Sequence, residues 1–77
     1  MHYRSIVNEG NKRYYVSTNN TIDHGPETMI FEIKNVDQND EYIDWSGIFT
    51  KRYKNMAQAK KSHYEIIEDI NKYIKGE

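Results

Sequence analysis

Four side chains are suited to holding a divalent cation: Asp23, His24 and Glu27 in the stretch "TIDHGPETM", where the chain should turn, and His63 further on. Imidazole nitrogen and carboxylate oxygen are ligands that zinc accepts in tetrahedral geometry. The stretch also holds the only proline, Pro26, beside Gly25, and this pair should fix the path of a loop immediately before a strand-like run. With no cysteine the chain cannot form a disulfide, so a zinc tying the loop to a helix would turn binding free energy into folding free energy. The same residues allow a second reading, in which His63 donates a hydrogen bond to Glu27 or to a backbone carbonyl and His24 sits in solvent. Spacing does not choose between them. There is no HExxH, and the positions one helical turn from His63 are Ala59 and Ile67.

A second group is basic. "TKRYKNMAQAKK" gathers Lys51, Arg52, Lys54, Lys60 and Lys61 around Tyr53, which would serve either as a surface for a partner or its phosphates, or as the solvated start of a helix. The whole chain offers no such field: 11 basic against 12 acidic residues give a net charge of −1, which favours neither a nucleic-acid binder nor a DNA mimic. The loop "DQNDE" presents Asp37, Asp40 and Glu41 but lacks the glycine and terminal glutamate of an EF-hand loop, so it reads as a polar turn. Neither a GxSxG motif nor a glycine-rich phosphate loop is present, and the expectation is a binding protein and not an enzyme.

The elements that must position these residues follow from periodicity. "YRSIV" and "RYYVST" flank the polar "NEGNK", which predicts a hairpin over residues 3–18. In "ETMIFEIKNV" the residues Met29, Phe31 and Ile33 alternate with Thr28, Ile30, Glu32 and Lys34, the period of a half-buried strand. Met29, Phe31 and Ile33 are expected on the core face, and Glu27, in phase with them, should open that face toward the helix. "YIDWSGIF" reads as a final strand in which Ile43, Trp45 and Phe49 share a face and Gly47 allows a bulge. From Met56 the apolar residues recur at steps of three and four, and Asn55 with Gln58 resembles a capping box, predicting one amphipathic helix over 56–75. His63 falls within its apolar stripe.

The architecture expected is therefore α+β: one domain over residues 1–77, a three- or four-stranded antiparallel sheet at about 3–50, and one long C-terminal helix covering it. A domain of 77 residues buries only about 60% of its unfolded surface, so its core should be thin, and seven tyrosines supply much of it. No apolar run reaches the roughly 20 residues of a membrane span, and "MHYRSIVNEG" lacks the apolar centre of a signal peptide, which predicts a cytoplasmic protein.

Taken in order, "YYVSTNN", "ETMIFEI", "IDW" and "RYKNMAQAKKSHYEII" resemble a group of small proteins encoded by phages and prophages of Gram-positive bacteria. The likeness runs from about Tyr14 to Ile70, and its distinctive pieces fall on Glu27 to Phe31 and on Arg52, Tyr53, Ala59 and His63. The resemblance implies a phage inhibitor of a host defence protein, foremost an anti-CRISPR protein that binds the type II effector Cas9, with a structural zinc among its expected features. The alternative is a small nucleic-acid-binding phage accessory protein acting through Lys51 to Lys61.

Overall fold

The computed structural model describes residues 2–36 and 40–74. Four strands, β1 (His2–Glu9), β2 (Lys12–Thr21), β3 (Gly25–Asn35) and β4 (Glu41–Arg52), form one antiparallel sheet in the order β1-β2-β3-β4. Two helices follow, α1 (Met56–Glu68) and α2 (Asn71–Ile74). The class is α+β as the periodicities required, and among the described residues no helix is long and apolar enough to cross a membrane. Tight turns close the first two hairpins, where Gly10 (φ 63°) and Gly25 (φ 70°) take the left-handed backbone that a side chain disfavours. Asp37 lies outside the described residues.

The single helix over 56–75 is not formed. Its start is as read: the Asn55 side chain accepts from Gln58 N–H at 2.9 Å, and Gln58 Oε1 in turn accepts from Lys54 N–H at 3.2 Å. Its end comes early, because Asp69 leaves the helical region (φ −147°, ψ 71°) while its N–H still reaches the carbonyls of Glu65 and Ile66. Aspartate is a poor helix former whose side chain competes for backbone groups, and no glycine marks the stop. The break swings α2 back onto the sheet. Ile70 becomes buried, and Tyr73 meets Phe49 edge-on with ring centroids 5.6 Å apart.

The core lies between the helices and one face of the sheet. Tyr14 and Val16 of β2, Ile30 of β3, and Ile66 and Ile70 are buried together, with Val7, Phe49, Ile67, Tyr73 and Ile74 packed around them. This corrects the expected phase of β3. Its helix-facing residues are Thr28 and Ile30, whereas Met29, Phe31 and Ile33, with Glu27, point to the opposite face. Apolar counting chose the wrong side because the far side of β3 carries three apolar residues and the helix side only Ile30, beside the buried Thr28. On the far side Phe31 packs against Trp45 (5.0 Å, edge-on) and Tyr15 (6.2 Å, stacked), a second cluster that no described helix covers.

The grouping of Ile43, Trp45 and Phe49 on one face fails for a related reason. Pairing jumps from Ile30↔Phe49 to Glu32↔Asp44, so a bulge over residues 45–48 restores Phe49 to the helix side while Ile43 stays with Ile33 on the other. Gly47 makes this bulge possible: its φ is 71°, and a Cβ there would sit 3.3 Å from the Met29 terminal methyl. Gly47→Ala is accordingly expected to cost about 1–2 kcal/mol in urea unfolding, from left-handed backbone strain alone. An alanine at a β-sheet surface site such as Thr50 should cost far less.

Candidate functional site

His63 hydrogen-bonds through both of its ring nitrogens. It sits in the apolar stripe of α1, 1% exposed, and Tyr3, Ser5 and Thr18 of the facing strands close around it. Ser5 Oγ lies 2.9 Å from Nε2, Thr18 Oγ1 lies 2.7 Å from Nδ1, and Thr18 Oγ1 is 2.6 Å from Thr28 Oγ1. A proton can run along this chain in either direction and satisfy both ring nitrogens. Register explains why it forms: Tyr3, Thr18 and Thr28 are cross-strand partners on the helix-facing side, directly under α1. Among the described residues no buried side-chain nitrogen or oxygen lacks a partner.

Burial holds the His63 imidazole below its ordinary pKa of 6.5, and the nearby His2 pushes it the same way. The ring is therefore neutral at physiological pH. Ser5 and His63 have the spacing of a nucleophile and its base, yet the third member of the chain is a threonine hydroxyl and the ring is sealed between sheet and helix. The arrangement closes a polar gap in a thin core.

The four metal-ligand candidates are not brought together. Glu27 occupies the face of the sheet opposite His63 and pairs with Arg52, Oε2 to Nε, at 3.5 Å. The expected hydrogen bond between His63 and Glu27 is thus replaced by the hydroxyl pair, since the two side chains emerge from opposite sides of the sheet. Asp23 and His24 are exposed in the β2–β3 turn. That turn is tied by Thr21, whose hydroxyl donates to the Gly25 carbonyl (2.9 Å) and accepts from His24 N–H (3.0 Å). Among the described residues no three His, Asp or Glu side chains cluster as a metal site.

The basic run fares differently. Lys51, Arg52, Tyr53, Lys54 and Lys61 line one open groove of about 480 Å³, with Gln58, Ser62 and Glu65 completing it. It forms where the end of β4 runs into α1. Tyr53 fixes the junction: its N–H donates to the Pro26 carbonyl (2.9 Å) and its hydroxyl to Ser62 Oγ (2.6 Å). Lys51 Nζ lies 5.6 Å from the Tyr53 ring centroid. Lys60 is not among the lining residues, and its Nζ stands 5.9 Å from the ring of Tyr3 on β1. Lys51, Lys54 and Lys61 thus face one carboxylate, Glu65, across the groove, and Arg52 joins them with its guanidinium already paired to Glu27.

Sequence reasoning missed two features. Ser5, Thr18 and Thr28 escaped because hydroxyl residues read as neutral in a strand; the signal was the polar member of the helix stripe, which required partners on the strands beneath it. The cluster of Tyr15, Phe31 and Trp45 escaped because the pattern puts Phe31 on the core face, Trp45 beside Phe49, and Tyr15 on neither face in particular. No family model, curated protein or solved structure matches the chain.

Proposed function

We propose that this domain is a non-enzymatic binding module that docks on an acidic surface of a partner protein through the groove around Lys51, Arg52, Lys54 and Lys61. The carrying observation is the charge of that groove, where Lys51, Lys54 and Lys61 meet one carboxylate, Glu65, beside an Arg52 paired to Glu27, in a chain of net charge −1. Tyr53 adds an aromatic wall held in place by Ser62, and rigid aromatic residues beside arginine are the usual anchors of protein interfaces. The resemblance to small phage proteins supplies the partner class: a defence protein of the bacterial host, with Cas9 the first to test and the host cytoplasm the place of action. His63 is saturated by Ser5 and Thr18, so the reading assigns no role to zinc.

The test is binding to immobilised Cas9 and, in parallel, capture from a bacterial host lysate. The double variant Lys51→Glu/Lys54→Glu should weaken binding at least about tenfold, chiefly by reversing charge at the contact, and the binding that remains should depend less on salt. Both side chains are exposed, so the melting temperature should not move. Binding that survives the double change removes the groove from the interface. The nucleic-acid alternative draws on one feature, the Tyr53 ring among phosphate-seeking cations, which is the pairing that holds single strands. Retention on DNA or RNA at low salt, lost steeply as salt rises, would transfer the groove to that partner.

A further inference from the structure

We infer that the face of the sheet turned away from the helices is a self-association surface, and that its occupant is a second copy of this chain. It is a different surface from the groove, and only Arg52 touches both. Its centre is apolar: Trp45 is 66% and Ile6 55% exposed, and Tyr15, Met29, Ile33 and Ile43 are half-buried around them. No described segment of the chain lies over it.

Three properties of this face select a copy of itself. First, its charges are already neutralised in place. Arg13 bonds to Glu41 across Ile33 at one end of the strands, and Arg52 pairs with Glu27 at the other. Such a band does not select a partner of either sign, and turned by a two-fold axis it meets an identical band with little like-charge repulsion. Arg4, its Nη2 bonded to His2 Nδ1 at 3.3 Å, remains at the β1 rim, where water can solvate it.

Second, projection and recess occur together. Trp45 stands up on its edge-on contact with Phe31, and beside it runs a trough of about 550 Å³ lined by Arg4, Ser5, Ile6, Tyr15, Ile33 and Ile43. An isologous contact needs this self-complementarity, because each copy must present both the ring and the recess that receives it. Trp45 of each copy then enters the trough of the other, and the two sheets stack as the layers of a sandwich, roughly 10 Å apart.

Third, the area suffices. Four strands about 4.8 Å apart, taken over about eight residues each, give a patch on the order of 500 Å² per copy. Two such patches bury about 1,000 Å², the lower limit for a specific interface and the range of weak, concentration-dependent dimers.

Sedimentation velocity across micromolar to submillimolar concentrations tests this. The apparent mass should rise from 9.2 kDa toward twice that value, with the Trp45 emission shifting to shorter wavelength as the indole leaves water. Trp45→Glu should hold the protein at 9.2 kDa at every concentration with its circular-dichroism spectrum unchanged. Ile6→Glu, on the opposite side of the trough, should do the same and serves if the first variant misfolds. Tyr64→Glu, an exposed aromatic on α1, and Lys54→Glu in the groove should leave dimerisation intact. A wild-type protein that stays at 9.2 kDa throughout, or a dimer that persists in both the Trp45 and Ile6 variants, overturns the inference.

Discussion

Ile66→Ala is expected to lower the free energy of unfolding by about 2–5 kcal/mol, enough to leave a large fraction of the molecules unfolded near body temperature. Ile66 has no exposed surface and closes the core against Tyr14, Val16 and Ile30. Removing its outer carbons forfeits their transfer free energy and opens a cavity that α1 cannot collapse into, because the His63 hydrogen bonds one turn away hold the helix at its present height. A domain of this size holds roughly 4–12 kcal/mol in total, so one such loss is a large share. Ile70→Ala should cost a similar amount, although Ile70 lies in the turn between α1 and α2 and not in the main helix. Lys61→Ala, on the outer surface, should change little. Denaturant melts of the three variants decide it, and equal tolerance would mean that α1 does not pack as described.

His63 carries the second large effect, and it is read through pH. His63→Ala leaves Ser5 and Thr18 short of a buried partner and vacates an imidazole's volume, for a loss on the order of 3 kcal/mol. In the native protein the folded pKa is depressed below 6.5, so the unfolded chain binds the proton more readily. Stability from this group is complete above 6.5 and is lost as pH falls from there toward the lower folded value, by at most about 1.4 kcal/mol per pH unit. The melting temperature should therefore drop on mild acidification, before the carboxylates titrate. In His63→Gln most of the drop should vanish. His2, also depressed by burial and by Arg4, is exposed and gives the smaller part, so a His2→Gln control separates the two. The melting temperature should ignore chelators; a fall that added zinc restores would return His63 to the metal reading.

The sequence carried much of the architecture and little of the site. Strand positions, the cap at Asn55 and the polar turn at Gly10 were legible because each rests on local chemistry, a period of two or a residue that suits one backbone shape. The face of β3 was not. Met29, Phe31 and Ile33 outnumber the one apolar residue, Ile30, on the side that meets the helix, and only the tertiary structure shows that the buried threonines Thr18 and Thr28 belong to the core through their hydroxyl chain. That inversion moved Glu27 to the wrong side and with it the proposed partnership with His63. The basic groove was half legible: the run of cations is visible in order, but their convergence depends on the turn from β4 into α1, which brings Lys61 back beside Lys51 and leaves Lys60 facing β1.

The order β1-β2-β3-β4 also bears on how quickly the protein reaches this state. Every strand pairs with its neighbour in sequence, so the sheet can zip up by closing three short loops, each at small entropic cost. Only the contacts of the helices with the early strands, such as Ser5 with His63, join residues far apart along the chain. Rates of small domains track that separation, and a meander with one late long-range closure belongs with the faster mixed α/β folders. Brief exposure of unpaired strand edges during folding follows from the same order, and it shortens the interval in which one nascent sheet can capture another.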